Sequence, residues 1–511
     1  MYDNTARIQK ELSAFKLGFC GRIEPDNRWV RMAAVIPWEM LEPEYAHHFN
    51  NNGRPAKRFR VALGSLIVQE TLKLTDRETV QQISENPCIQ FFLGFSEFKN
   101  QIPFDASLLV YFRKRLKWES IAKINDLINK IVPPEMESVK NDNDDGNDDK
   151  SDSGSNDQKP EEPKKVPVQG TLILDATCTP ADIRHPQDLS LIDEARRKTE
   201  NIIDVLHKVA GGKIPRTYRK KARCHFLSVI RKRKKDPKEV QKAIRKQLGY
   251  LGRNLRSIND LVASMTTCRQ SPSVLGTLST RQYRALLVIQ ETYSQQRYLL
   301  THKTRSVPDR IVSISQPHIR PIIRGKARAD VEFGAKVSVA VHNGYVFVDR
   351  ISFDAYSESH DVEMQAEAYR VRTGAYPERI LGDKAYQNQA NRRWCKERGI
   401  HLMGQKMGRP FENKMIQKLF TKLERIEEIE RVEIEGRIGI QKRRYGWDKI
   451  SGKTPATAMT MIMLVALVAN IAQRMRDSYF ALIQVIVGAV IALDNWCTIG
   501  KKSTYLPLAW I

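Results

Sequence analysis

The sequence predicts a mixed α/β sheet flanked by helices, preceded by an all-α module and interrupted by a basic helical insertion. Three observations carry that expectation. Helical periodicity dominates residues 58–132, and the chain from 171 onward alternates short apolar strands with amphipathic helices. Between the first strand and the rest of that pattern lie roughly 130 residues unusually rich in Lys and Arg.

In chain order, residues 1–50 read as irregular apart from a short helix in IPWEMLEPEYAHHF. ALGSLIVQETLKL predicts one helix. TDRETVQQISENP predicts a second, opening on Thr75 with Glu78 three residues on, the spacing of a capping box. Asp105 is the expected cap of a third, SLLVYFRKRL. Such a module suits a helix-turn-helix DNA reader or a dimerisation bundle. Residues 141–157 hold seven Asp, one Lys and no large apolar residue, so the segment cannot offset its ordering entropy and reads as a solvated linker.

TLILDA (171–176) is a short strand of the buried type. FGAKVSVAV and YVFVDRISF flank His342-Asn343-Gly344, and Asn-Gly between two alternating runs is a strong hairpin signal. A polar helix (HDVEMQAEAYRVRTG), the strand ERILGD (378–383), a helix in ANRRWCKERG and a strand-like IHLMGQ follow. The expected organisation is an all-α domain at 1–136, a linker at 137–166, and an α/β domain at 167–476 with its insertion at about 190–325. A C-terminal apolar helix and tail occupy 477–511.

The chain has 511 residues and a net charge of +25. Its Gly and Pro content excludes collagen and low-complexity classes. Residues 196–256 contain 21 Lys or Arg against four acids, centred on Arg231-Lys232-Arg233-Lys234-Lys235. Such a surplus favours a polyanionic partner, because each phosphate neutralised releases condensed counterions. The seven cysteines contain no CxxC pair, which fits a reduced cytoplasmic protein without a zinc site. The apolar runs at 460–468 and 479–493 fall short of a bilayer span, so no membrane is expected and the helices 455–476 and 479–493 should cover the sheet or pair subunits.

Three carboxylates stand out. Asp175 closes the strand TLILD, and Asp383 closes RILGD beside Lys384. A carboxylate at the end of a buried strand is costly unless it meets a cation or hydrogen-bond donors. The third lies in the helical stretch 431–447, where Arg431, Glu435 and Lys442 fall at about 0°, 40° and 20° around the axis and so share one face. Carboxylates from two strands and a helix suit two Mg²⁺ ions (or Mn²⁺), held by oxygen ligands, in an in-line phosphoryl displacement. Arg431 and Lys442 would then hold substrate phosphates.

DRETVQQISENPCIQFFLGF, PFDASLLVYFRKRL, LILDAT, ADVEFGAKV, ISFDAYSES, RILGDKAY and IEGRIGIQKRRYG together resemble the DDE transposases of bacterial insertion sequences, in the insertion-sequence five group and its longer eleven-eighty-two relatives. The resemblance runs over most of the chain. It implies an RNase H-like sheet, a catalytic and metal-binding triad of Asp175, Asp383 and Glu435, and an N-terminal module that helps recognise terminal repeats. The family's Tyr-x2-Arg-x3-Glu-x6-Lys motif matches at Arg431, Glu435 and Lys442, whereas Glu428 stands at the Tyr position. Glu433 is the rival third ligand, and it points about 160° away from Glu435 on a helix. The implied activity is metal-dependent cleavage at element ends and strand transfer into target DNA, by a homodimer or larger assembly on double-stranded DNA in the bacterial cytoplasm. The alternatives are a nuclease or resolvase on the same fold and a catalytically dead DNA-binding protein. The gap of 208 residues from Asp175 to Asp383 is filled mostly by the basic insertion, which is expected to track DNA through residues such as Arg231–Lys235.

Overall fold

The computed structural model describes residues 15–17, 21–47, 49, 55–129, 167–266, 274–326, 329–404 and 413–502. The acidic linker expected at 141–157 lies outside the described residues.

Among the described residues, seven helices come first: α1 (Arg28–Val35), α2 (Trp38–Ala46), α3 (Phe59–Leu72), α4 (Asp76–Glu85), α5 (Pro87–Phe92), α6 (Leu108–Arg115) and α7 (Trp118–Ile128). The capping box is present: the Thr75 hydroxyl accepts from the Glu78 N–H, and the Glu78 carboxylate accepts from the Thr75 N–H. Asp105 plays a different part from the one expected. Its carboxylate accepts from the Ser107 N–H at 2.8 Å, bracing the turn, and Ser107 itself takes the cap position of α6. The helix α1 has no counterpart in the expectation for 1–50, because its eight residues carry too few turns for a periodicity to register. From Phe59 to Glu70, α3 is buried around its whole circumference, so it is a core helix and not a groove reader.

The sheet contains β1 (Thr171–Pro180), β2 (Arg320–Lys326), β3 (Ala329–His342), β4 (Tyr345–Ser352), β5 (Arg379–Leu381) and β6 (His401–Leu402). Its order along one path is β4-β3-β1-β5-β6, with β2 pairing the other half of the long β3. β3 runs antiparallel to β1 and β4 antiparallel to β3, while β5 runs parallel to β1 and β6 parallel to β5. That is the arrangement of an RNase H-like sheet, as the resemblance implied. The β3–β4 turn is made by Asn343 and Gly344, both at positive φ (49° and 78°), the left-handed pair that matches strand twist in a two-residue hairpin.

Alternation along the strands divides two apolar layers. Ile173, Val339, Val341 and Leu381 face one core, shared with the N-terminal helices. Leu172, Leu174 and Ile380 face another, formed with α12 (Val362–Thr373) and α13 (Gln389–Glu397). Burial on both faces explains why TLIL reads as a continuous apolar run. The first layer is closed by α14 (Lys414–Tyr445) and α15 (Pro455–Lys502). A buried polar knot sets the depth of α15. The Asn470 amide oxygen accepts from the Val346 N–H at 2.9 Å, and its NH₂ donates to the Val346 carbonyl and to the Asn125 side chain.

Two expectations about the C-terminus are corrected. The separate helices at 455–476 and 479–493 are one continuous helix, because Arg476-Asp477-Ser478 contains neither Gly nor Pro to end it. The stretch Pro455–Phe480 is also long and apolar enough, by length and composition, to cross a membrane. Yet 67% of its most apolar window is buried inside the fold, with Leu464, Leu467 and Ile471 fully enclosed, so it serves here as a core helix.

Between β1 and β2 the insertion forms α8 (Asp188–Ala210), α9 (Arg219–Ile230), α10 (Pro237–Thr266) and α11 (Thr280–His302). It has its own small cores, one of them built on Ile192, Leu251 and Ile289.

Candidate active site

Neighbouring parallel strands bring the two aspartates together. Ile173 of β1 is in register with Leu381 of β5; Asp175 stands two residues on, midway along β1, which runs to Pro180 and is not closed by Asp175 as expected, and Asp383 stands two residues past the end of β5. Alternation along β1 gives Asp175 the face that Ile173 occupies, the one covered by α14. One Asp175 oxygen accepts from the Ala176 N–H at 2.7 Å. Asp383 caps the short 3₁₀ turn Lys384–Tyr386, accepting from the Ala385 N–H at 2.8 Å. Gly382 is required here, since a Cβ at that position would stand 2.9 Å from the Tyr386 ring.

Tyr386 reports on the electrostatics. Its side chain is fully buried, and its hydroxyl has no hydrogen-bond partner among the described residues. Burial, followed by the charges of Glu358, Asp175, Asp383 and Asp361, pushes this phenol far above its ordinary range. Four carboxylates therefore concentrate negative potential around one buried ring. Two of them are compensated locally. Asp361 is buried, accepts from the Ser338 hydroxyl and pairs with Arg350 at 2.8 Å, and Glu358 pairs with Lys336 at 2.7 Å. Arg350 also stacks 3.9 Å from the Tyr356 ring centroid, and burial pushes the Tyr356 phenol up to about 12. Sequence reasoning does not single out Glu358, Asp361 or Tyr386. Their proximity to RILGD is a tertiary fact, and the run of polar residues in DAYSESHD is a weak cue to it.

Glu435 comes from α14, which packs on β1 and β5. Two contacts hold the helix down: an ion pair of Arg379 of β5 with Glu430 at 3.1 Å, and a hydrogen bond between His401 Nε2 of β6 and the Glu427 carboxylate at 2.6 Å. Ile434 and Ile438 bury against the same layer as Ile173. Glu435 itself is 54% exposed and pairs with Arg431 at 3.1 Å, so the i,i+4 geometry expected of them is present. Lys442 is half-buried on the same helix. Glu433, the rival, pairs instead with Arg437 at 3.2 Å, and Arg437 reaches to the hairpin at Gly344. No group of three or more His, Cys, Asp or Glu able to hold a metal ion occurs among the described residues. The structure thus puts Asp175 on β1 and Asp383 just past the neighbouring β5, both acting on Tyr386, and leaves Glu435 ion-paired on the covering helix.

The remaining sequence candidates are exposed. Lys384 lies in the turn after Asp383. Arg231, Lys232, Arg233, Lys234 and Lys235 form the solvent-facing connection between α9 and α10, where Lys232 is held by Glu239 at 2.7 Å.

Two family models match the chain. A transposase domain (DUF772) covers residues 19–115, and a transposase DDE domain covers residues 380–472, a span that includes Asp383, Arg431, Glu435 and Lys442. Both matches are to transposase domains, one at each end of the chain, and they support a DDE-type transposase of the bacterial insertion-sequence kind. A curated relative, the uncharacterised protein ORF8 in the nfe locus of Rhizobium meliloti, is 37% identical over 94 residues, which are 18% of this chain. The chain spans 45% of that relative's length. No solved structure matches it.

Proposed function

We propose that this transposase cuts double-stranded DNA at the ends of an insertion sequence and joins those ends to target DNA, using Asp175, Asp383 and Glu435. The observation that supports the reading is the parallel pairing of β1, which carries Asp175, with β5, which leads into Asp383, under the helix α14 that carries Glu435. The donor set fits a hard divalent cation, because every candidate ligand is a carboxylate oxygen and the negative potential around Tyr386 is of the sign that draws a cation. Asp175, Asp383 and Glu435 would hold two Mg²⁺ (or Mn²⁺), which when bound supply charge stabilisation for the attacking and leaving oxygens of phosphoryl transfer.

The chain's own residues do the rest. The Ala176 and Ala385 amides keep one oxygen of each aspartate occupied and so fix the direction of the other. Arg431 holds Glu435 in place in the free protein and, with Lys442 and Lys384, lies where it can engage substrate phosphates. Arg350 and Lys336 neutralise the two neighbouring carboxylates, which limits repulsion toward incoming DNA. Joining two ends calls for a dimer or larger assembly on DNA.

A strand-transfer assay with labelled ends tests the reading. Wild type should cleave and join, and Asp383→Asn should do neither. Joined product persisting in the variant would overturn the triad. Cleavage without joining would favour a nuclease, and binding without either would favour an inactive DNA-binding protein.

A further inference from the structure

Where the insertion meets the sheet, a cavity of about 1180 Å³ opens between α8, the start of α11, residues 314–318 ahead of β2, and the first residues of α15. Among the described residues its charged lining has a single sign: Lys198, Arg281, Arg284 and Lys453 face it, and no aspartate or glutamate does. Lys198 is paired with Glu194 at 2.7 Å. Arg281, Arg284 and Lys453 are exposed and make no ion pair among the described residues. His318 also lines the cavity. Its buried Nε2 lacks a hydrogen-bond partner among the described residues, and burial together with Arg320 lowers its pKa. The first turn of α11 adds the positive end of a 23-residue helix.

Cations grouped around one concavity repel one another, and an anion entering it relieves that repulsion. The volume exceeds the roughly 300–1,000 Å³ of ordinary small-molecule sites, which points to a polymer. Position narrows the choice. Past Asp175, β1 continues to Pro180, whose carbonyl accepts from the Ile450 N–H at 2.8 Å, and Lys453 follows three residues later. Five strand residues cover about 16 Å, the length of roughly five base pairs. The chain segment that carries Lys453 to the cavity is thus anchored to the far end of the strand that carries Asp175.

We propose that this cavity grips the phosphodiester backbone of duplex DNA flanking the cleavage position, through Arg281, Arg284 and Lys453, independently of base sequence. The inference rests on the transposase reading and adds a second DNA-binding surface, separate from the Arg231–Lys235 turn. The test uses the full chain and a labelled duplex of about 30 base pairs, titrated over a range of salt. Arg281→Gln/Arg284→Gln/Lys453→Gln should bind at least tenfold more weakly. Its plot of log K against log salt should flatten by about 2 to 3, near 0.9 for each phosphate no longer neutralised. An unchanged thermal unfolding curve excludes misfolding as the cause. If the triple variant does not fold, Lys453→Gln alone should flatten the slope by about 0.9. Wild-type binding and joining with an unaltered slope in the variants would overturn this inference and leave the transposase reading standing. Failure of the wild type to bind any duplex would overturn both.

Discussion

The sheet and the insertion handle charge in opposite ways. Around Tyr386 the sheet gathers carboxylates, and it compensates Asp361 and Glu358 while Asp175 and Asp383 are met by backbone amides. The insertion spreads cations over its surface and buries an ionic cluster. Inside α8, Arg196 bridges Asp193 at 2.6 Å and Glu200 at 2.5 Å, with all three side chains almost wholly enclosed. In the sheet the negative potential faces the candidate site, where a cation can use it. In the insertion the buried charges offset one another, and the outer cations remain for a partner. A reactive centre needs charge held in a fixed geometry, whereas a backbone-tracking surface needs only its sign and density.

Four measurements put that contrast at risk. Arg196→Met leaves the buried Glu200 carboxylate without its paired cation, while Asp193 keeps Arg197 at 3.1 Å, and should destabilise the protein by about 3–5 kcal/mol in urea unfolding. Burial, opposed by Arg196, already raises the Glu200 pKa, and removing Arg196 raises it further. The folded variant then binds a proton that the unfolded chain releases, so the deficit should be largest above that raised pKa and shrink as pH falls through it. A deficit that does not change with pH would mean the cluster is not ionic. Asp383→Asn should bring end joining below detection, a loss of at least about 10²–10³-fold, the scale of losing one group that stabilises transition-state charge, while leaving urea unfolding close to wild type. A large loss of stability instead would assign Asp383 to the fold.

Replacing Arg231, Lys232, Arg233, Lys234 and Lys235 with Gln should weaken DNA binding by similar factors on unrelated sequences and flatten its salt dependence by up to about 4.5. The pairing of Lys232 with Glu239 makes the full value an upper bound. An unchanged slope would remove that turn from the interface. Smallest is Thr75→Ala, which takes away one half of a capping box and should cost about 1 kcal/mol, with no effect on DNA cleavage.

Local chemistry is legible in the sequence wherever neighbours in the chain decide the outcome. The capping box at Thr75, the Asn343-Gly344 turn and the i,i+4 pair Arg431–Glu435 all depend on spacings of a few residues. The end of α12 at Gly374 follows the same logic, since glycine accepts the left-handed φ of 81° found there. Signals fail where an element is too short or leans on distant partners. β2 is invisible to pattern because RPIIRGK mixes charge and Pro with few apolar residues, and it forms by pairing with β3. α15 reads as two helices because its apolar runs are separated by polar residues, although nothing there breaks a helix.

The types of the main elements, the excess of positive charge and the identities of the acidic candidates can all be read from the linear chain, since they follow from periodicity, composition and short spacings. Folding in three dimensions settled the rest: that the strand carrying Asp175 pairs with the one leading into Asp383, that Glu358 and Asp361 act on the buried Tyr386, and that Lys453 joins Arg281 and Arg284 around one cavity. Those residues lie far apart in the chain, and what unites them is strand register and helix packing, which the burial of two apolar layers selects globally and no local stretch encodes.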